Sequence, residues 1–349
     1  MQANDQAATM TTPPPRGAAV DVAAFGAVGD GKMDCTAAVT AAIKYIHSQV
    51  GPKGAVSGPS APSLLFGAGA FVLSAPLVAD TFVIEGVSPS NTQLLFHNTQ
   101  SSPSSGVAEG GWAVVLGTSW NTMRTMNRRY CGVRNLSIVG GTNDASGAHP
   151  NSNTANGLLL HSLFQGEADV QNVHVSYFCS PGAVGIGLCN VQDIVFHSLK
   201  AEKCGTGLQL SAATKTEPGD RGNHNTNLTF VNYVGQSCDS WSIACGLPGH
   251  SGADNITFIG GVSQSGSGML ASLASIGTIG FYGHYFEVAS TQHHELVISD
   301  VTQAVLSNCH FTSIGSQVTA SGKTCLEVNC CSFPSKYCQA PKSLPNGAR

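Results

Sequence analysis

A short recurring element strongly limits what this chain can fold into. An Asn or Asp is followed by an apolar residue, any residue and a second apolar residue. The copies begin at Asn135, Asn172, Asp193, Asn227, Asn255 and, in degenerate form, Thr278. Their separations run from 21 to 37 residues (193−172 and 172−135), and irregular periods of this size predict a solenoid whose rungs carry loops of varied length. A second strand-like element lies between the copies, so the two families predict the faces of a parallel β-helix.

The residues after each Asn predict which side chains face the core. The first and third are apolar in every copy, whereas the middle one is mixed. Period-two alternation points the first and third inward. We therefore expect Phe196, Phe230 and Phe258 to lie over one another along a common axis. We interpret the Asn/Asp column as structural, because stacked amides can satisfy backbone groups at rung corners.

The segment 20–50 predicts a cap for one end of this solenoid. A strand-like start is followed by a glycine-rich turn around Asp30 and by a helix over Thr36–Val50. The apolar stripe of that helix consists of Val39, Ile43 and Ile46. A helix with a single apolar stripe needs a surface to cover, and the open end of the solenoid provides one.

This segment resembles the opening of the pectate-lyase-like right-handed β-helix proteins, F-G-A-x-G-D-G-x-x-D-x-T-x-A-x-x-x-A, and the similarity continues through Leu64–Phe96. Cys35 stands where that family usually has a second Asp, and Phe66–Gly69 lacks the usual Pro. The family includes glycan-cleaving enzymes and many phage and viral tailspikes. The resemblance implies an all-β fold, a single-stranded right-handed parallel β-helix with a short N-terminal capping helix. Its motif is structural and implies little about chemistry.

We predict three parts for the 349-residue chain. Residues 1–19 are a flexible N-terminal arm, residues 20–314 are the β-helix with its cap helix at about 36–50, and residues 315–349 are a Cys-containing C-terminal segment. The arm lacks the apolar core of a signal peptide. The chain therefore either follows a removed signal or leaves its cell by another route, such as lysis within a virus particle.

Composition excludes several classes of protein. Charged residues make up only 10% of the chain and the net charge is −4, which disfavours a nucleic-acid partner. No apolar run is long enough to span a bilayer. The histidines lack ligand spacing and no cluster of acidic residues suggests a calcium site, so neither a metal nor a cofactor is predicted.

The twelve cysteines include no C-x-x-C pair. We interpret the scattered ones as small buried core residues. They are Cys131, Cys179, Cys189, Cys204, Cys238, Cys245 and Cys309. The C-terminal group of Cys325, Cys330, Cys331 and Cys338 favours a disulfide if the protein works outside a cell.

Acidic side chains are almost absent from the predicted strand faces and gather in turns instead. The richest turn is Thr214–Asn225. Glu217 and Asp220 are our candidate acid/base pair for glycan cleavage, with Arg221 and His224 as candidate ligands for a carboxylated or hydroxylated sugar. The competing interpretation, and the commoner one for such a segment, is a solvated loop.

A second candidate glycan-binding segment contains His284, Tyr285 and Glu287. Its FYGHYFE resembles the F-x-x-x-Y-F-E sequence of phage tail proteins in this superfamily, where the resemblance implies a mainly structural role. The aromatic residues suit either stacking on sugar rings or a subunit contact. A third candidate is the loop Gly141–Asn156, which is rich in amides and hydroxyls.

Several motifs of related glycan enzymes are missing, including G-H-G, R-I-K and D-P-H-D. We therefore favour a phage or viral tailspike-like protein that recognises, and in the active case depolymerises, a cell-surface polysaccharide. The alternatives are a secreted polysaccharide lyase or glycoside hydrolase, and a non-catalytic structural virion or surface protein. Expected partners are a polysaccharide, further copies in a homotrimer, and a virion or tail attached through the N-terminal arm. The expected location is the virion or the extracellular space.

Overall fold

The computed structural model describes residues 19–50, 61–96, 111–117, 130–141, 156–164, 167–179, 182–210, 225–245, 253–265, 269–288, 294–312 and 316–333. These ranges contain one α-helix, α1 (Thr36–Val50), one short 3₁₀ helix (Val22–Phe25) and 27 strands. The first strands are β1 Ala19–Asp21, β2 Asp30–Asp34, β3 Ser63–Leu65, β4 Gly69–Leu73, β5 Leu77–Ala79, β6 Val83–Glu85, β7 Thr92–Phe96, β8 Trp112–Gly117, β9 Cys131–Val139, β10 Asn156–His161, β11 Ala168–Ser176, β12 Val184–Cys189, β13 Gln192–Glu202 and β14 Thr206–Gln209. The remaining strands are β15 Asn225–Val231, β16 Val234–Cys238, β17 Trp241–Cys245, β18 Ala253–Ile259, β19 Val262–Ser265, β20 Met269–Ala274, β21 Thr278–Tyr282, β22 Tyr285–Val288, β23 His294–Ser299, β24 Gln303–Ser307, β25 His310–Phe311, β26 Ser316–Ser321 and β27 Leu326–Asn329.

The described strands pair in parallel and coil into a solenoid with three faces. Face A contains β1, β3, β6, β15, β18, β21, β24, β27 and the first parts of β9, β11 and β13. Face B contains β2, β4, β7, β16, β19, β22, β25 and the second parts of β9, β11 and β13. Face C contains β5, β8, β10, β12, β14, β17, β20, β23 and β26. The predicted parallel β-helix is confirmed.

The cap helix α1 has the bounds that the sequence predicts. The Asp34 carboxylate accepts a hydrogen bond from the backbone N–H of Thr36 at 2.9 Å, which satisfies one donor of the first turn. Val39 and Ile46 are buried with the first rungs, and Ile43 packs at their edge. The apolar stripe therefore covers the end of the coil.

The expected phenylalanine stack is present inside face A. The ring centroids of Phe196 and Phe230 are 4.7 Å apart, those of Phe230 and Phe258 are 4.8 Å apart, and those of Phe258 and Phe281 are 4.8 Å apart. The interplanar angles fall from 21° to 8° along the series. These separations equal the distance between neighbouring parallel strands, so each ring lies on the one in the next rung.

The corner between faces A and B is built from residues in the left-handed backbone region. Its members are Asn135, Asn172, Ser198, Asn232, Gly260, Gly283, Asn308 and Cys330, with φ between 52° and 66°. Asn and Gly adopt this conformation at low cost. The chain therefore turns at the same place in rung after rung.

The single Asn/Asp column predicted from sequence is wrong, because its members belong to two different corners. Asn172 stacks above Ser198, since Gln171 pairs with His197 and Val173 pairs with Leu199; the rung there is 26 residues long (198−172). Asp193 begins a second column.

Both columns carry the amide ladders that were expected of them. Asn172 Nδ2 donates to Asn135 Oδ1 at 2.9 Å. Asn227 Nδ2 donates to Asp193 Oδ1 at 2.7 Å, and Asn255 Nδ2 donates to Asn227 Oδ1 at 2.8 Å. These side chains hold successive rungs in register, as a structural role requires.

The coil continues beyond the predicted boundary at residue 314. Strand β26 pairs with β23 on face C, and β27 pairs with β24 on face A.

Six of the scattered cysteines are buried and Cys179 is half-buried, while Cys325, Cys330 and Cys331 are free thiols. Among the described residues, no helix is long and apolar enough to cross a membrane.

Candidate functional site

The predicted acid/base segment cannot be placed in the fold. Glu217, Asp220, Arg221 and His224 lie within residues 211–224, outside the described ranges. Most of the third candidate loop, residues 142–155, is outside them as well. The assignments of these residues stay predictions.

The His284–Glu287 segment lies on face B and is split between its two sides. Gly283, with φ 66°, forms the corner that starts the face. After the corner His284 and Phe286 point into the core, where both are fully buried. Tyr285 and Glu287 alternate with them and point outward, each half-buried.

His284 is a core residue rather than the glycan ligand that the sequence suggested. Its Nδ1 lies 2.8 Å from the Gly260 carbonyl oxygen and its Nε2 lies 2.9 Å from Ser263 Oγ. Because a carbonyl only accepts, Nδ1 carries the proton and Nε2 accepts from the serine hydroxyl. Burial lowers the pKa of His284 to about 4, and the Gly260 bond opposes this shift. The imidazole is therefore neutral and satisfied.

Register places polar side chains in two adjacent columns on the outer side of face B, which we call the polar strip. Its members are His174, Lys200, Glu202, Gln236, Gln264, Tyr285, Glu287 and His310. All of them are half-buried or exposed. In one column Val234 and Val262 lie between Lys200 and Tyr285. From His174 to His310 the strip crosses five rung steps, a length of about 24 Å at the usual strand spacing.

One end of the polar strip is a charged cluster. His174 Nε2 lies 3.1 Å from Glu202 Oε2, and Lys200 Nζ lies 2.7 Å from the same oxygen. Burial and then the Lys200 charge lower the pKa of His174. Burial opposes ionisation of Glu202, but the Lys200 hydrogen bond and charge still lower the pKa of Glu202. The cluster thus holds a neutral imidazole beside a lysine–glutamate ion pair.

The other end of the polar strip is aromatic. The Tyr285 and His310 rings stack with centroids 5.2 Å apart at 17°, and His310 Nδ1 contacts Ser332 Oγ. Glu287 lies beside Tyr285 on the same strand. Rings, amides, a carboxylate and a cation on one flat sheet provide stacking surfaces, donors and acceptors for a chain of hydroxyl groups.

Sequence reasoning found Tyr285 and Glu287 but missed the rest of the polar strip. His174 occupies the middle position of the repeat, which is mixed in composition. Lys200, Glu202 and the two glutamines follow corners that carry no obvious motif. Alignment of the corner residues would have placed all of them on one surface, because the side chains two and four residues beyond each corner point outward.

Comparisons with known proteins support the fold. No protein-family model matches the sequence, and no curated protein matches it. The Geobacillus virus E2 ORF18 structure has a TM-score of 0.58 and 16% identity over 89% of this chain and 61% of its own. PfbA, a surface adhesin of Streptococcus pneumoniae, has a TM-score of 0.56 and 12% identity over 90% of this chain and 77% of its own.

A third similar structure is full-length tailspike protein 2 from the Escherichia coli O157:H7 bacteriophage CAB120. Its TM-score is 0.55, with 11% identity over 88% of this chain and 38% of its own. This chain therefore spans less than two thirds of either phage protein. These likenesses show the right-handed parallel β-helix fold.

Proposed function

We propose that this right-handed parallel β-helix protein recognises a cell-surface polysaccharide, in the manner of a tailspike or a surface adhesin, and that the polar strip is its binding surface. The observation that carries the proposal is the strip itself. Eight polar or aromatic side chains occupy successive rungs of one rigid face, and sites built on regular elements keep their geometry.

The chemistry of the polar strip suits an extended glycan. Gln236 and Gln264 each offer a donor and an acceptor, as sugar hydroxyls do. The exposed part of the Tyr285–His310 pair offers ring surface for the apolar face of a sugar. Lys200 supplies a cation for an acidic substituent. The rung spacing is comparable to the length of one pyranose unit, so neighbouring sugars meet neighbouring rungs.

Removing the aromatic end of the polar strip should weaken binding. We expect Tyr285→Ala combined with Glu287→Gln to raise the Kd for the recognised polysaccharide at least roughly tenfold, because stacking and hydrogen bonds to a carboxylate are both lost. Biolayer interferometry against a panel of acidic and neutral polysaccharides measures this. Thr302→Ala, an exposed turn residue off the strip, is the matched control. Equal affinities for the double variant and the control would contradict the polar-strip assignment.

Depolymerisation of the glycan is the second part of the proposal, and it rests on Glu217 and Asp220. Glu217→Gln with Asp220→Asn should abolish cleavage and leave binding intact, since an acid/base pair acts on the bond rather than on affinity. Release of reducing ends and absorbance of unsaturated uronates report hydrolase and lyase activity respectively. Cleavage that survives both substitutions would remove this assignment, and binding without any cleavage by the unmodified protein would favour pure recognition.

Trimerisation and particle attachment complete the proposal. Solenoids expose strand edges at an uncapped end, and oligomerisation is one way to cover them. Residues 1–19, with three consecutive prolines from Pro13, suit a stiffened tether to a virion or tail. The expected location is then the virion or the extracellular space.

A further inference from the structure

Face A carries an aromatic ring that lies flat on the outer side of the sheet. Tyr282 points away from the core and is 43% exposed. A Cβ placed on Gly280 would meet the Tyr282 ring at 2.6 Å from Cε2 and 3.1 Å from Cζ. Outward side chains usually stand roughly perpendicular to a sheet. Here the ring folds back along its strand and occupies the space that Gly280 leaves.

Register defines the border of this ring. Ile259 lies beside Tyr282 in the preceding rung and Ser307 lies beside it in the next. Thr257 and Val305 flank Gly280 in the same two rungs. We call these six residues the aromatic platform. Ile259 is 45% exposed, so apolar surface continues next to the ring.

The aromatic platform lies in a stretch of face A without charged outward side chains. In the five described rungs from β13 to β24, the outward positions are Val195, His197, Thr229, Val231, Thr257, Ile259, Gly280, Tyr282, Val305 and Ser307. None of them is Asp, Glu, Lys or Arg.

Among the described residues, acids lie at the edges of this uncharged stretch. Asp254 Oδ1 accepts from the Thr278 N–H at 3.0 Å, and Asp193 Oδ1 accepts from Asn227. Glu327 follows in the next rung, beside Val305. The polar strip differs in charge, because it holds Lys200, Glu202 and Glu287.

We infer that the aromatic platform is a second carbohydrate subsite, specific for an uncharged sugar that presents an apolar face, such as a neutral hexose or a 6-deoxyhexose. The exposed Tyr282 ring stacks on the C–H face of the pyranose, and Ile259 contacts its methyl or methylene group. The hydroxyls of Thr257 and Ser307 offer hydrogen bonds at the ring edge. The described outward positions of these rungs include no Lys or Arg to offset the desolvation of an acidic sugar. This inference rests on the proposed polysaccharide recognition and names one sugar class within it.

Gly280 gives the platform its specific test. The Gly280 φ lies outside the left-handed region, so a β-branched residue fits the strand backbone. A valine side chain there would displace the ring from the sheet and keep the chemical groups of Tyr282, including its hydroxyl. Tyr282→Ala removes the ring, and Tyr282→Phe keeps its face. These three variants separate a flat stacking surface from a mere apolar patch.

The experiment titrates the full chain with methyl α-rhamnoside, methyl β-glucoside and methyl β-glucuronide, monitored by saturation-transfer NMR. We expect the two neutral probes to bind and the glucuronide to bind at least roughly tenfold more weakly. Tyr282→Ala and Gly280→Val should each weaken neutral-probe binding about tenfold, and Tyr282→Phe should change it less than about threefold. Thr302→Ala, an exposed position off both the platform and the polar strip, should leave it unchanged. Thermal unfolding of each variant confirms that it is folded.

Each opposite result overturns the inference. A neutral stacking subsite would be excluded if the neutral probes did not bind, or if their binding survived Tyr282→Ala. It would also be excluded if the glucuronide bound as tightly as the neutral probes. A change in sedimentation coefficient on Tyr282→Ala, with sugar binding unchanged, would assign the platform to contact between copies of this chain. If only the polar-strip variants lost polysaccharide binding, the platform would not be a sugar subsite and the proposed function would stand. If sugar binding depended on the platform and the polar-strip variants affected no polysaccharide, the polar-strip assignment would be wrong and the platform would stand.

Discussion

We expect Phe258→Ala to lower the free energy of unfolding by about 3–5 kcal/mol, as large-to-small substitutions of buried aromatic residues do. Phe258 is the third of four stacked rings and is fully buried. It lies 4.8 Å from both Phe230 and Phe281, and its edge contacts reach Tyr233 at 6.0 Å and His284 at 6.1 Å. Neighbouring rungs are fixed by their own hydrogen bonds, so they cannot collapse into the cavity. Urea unfolding followed by circular dichroism measures the loss.

The matched control is Thr257→Ala on the same strand. Thr257 points outward and is half-buried, so the expected change is within about 0.5 kcal/mol. If Phe258→Ala fails to fold, Phe258→Leu keeps most of the volume and should cost less than about 1.5 kcal/mol. A Phe258→Ala protein that unfolds at the same urea concentration as Thr257→Ala would show that the stack does not hold the rungs together.

The phenylalanine stack was predictable because parallel pairing preserves side-chain direction from rung to rung. The position at which each rung begins was harder to predict from the sequence. Both Asn172 and Asp193 precede an apolar–any–apolar triplet, since two different corners use the left-handed conformation and each is followed by an inward residue. Sequence spacing alone merged them, and only the pairing of Val173 with Leu199 separates them.

The same corners explain why one of the three candidate ligands, His284, lies in the core. Strict alternation from the inward Phe281 would point His284 outward and Tyr285 inward. The left-handed Gly283 resets the alternation, so Phe281 and His284 both face the core. Gly283 follows the inward Phe281 by two residues, and Gly260 follows the inward Phe258 by two residues one rung earlier. Glu217 and Asp220 lie in a segment whose sequence carries no comparable periodic signal, so the rung pattern gave no position for them.

Acidification below neutral pH should destabilise the protein through His284. The unfolded imidazole titrates near 6.5, whereas burial lowers the pKa of His284 in the folded chain to about 4. Between these values the unfolded chain binds a proton that the folded chain does not. Stability is therefore complete above about pH 6.5 and falls as the pH drops toward 4, by about 3 kcal/mol in total. Urea unfolding at several pH values between 4 and 7.5 measures the slope.

The non-titrating variant His284→Gln isolates this contribution, since its amide keeps one donor and one acceptor for Gly260 and Ser263. It should be less stable at pH 7.5 and lose less stability on acidification than the unmodified protein. His47 acts in the opposite sense, because its hydrogen bond to Asp80 raises the pKa of His47; that contribution is present below pH 6.5 and is lost as the pH rises through the folded pKa. His47→Gln should therefore steepen the loss in acid. Parallel stability curves for His284→Gln and the unmodified protein would show that the buried imidazole is not the group that titrates.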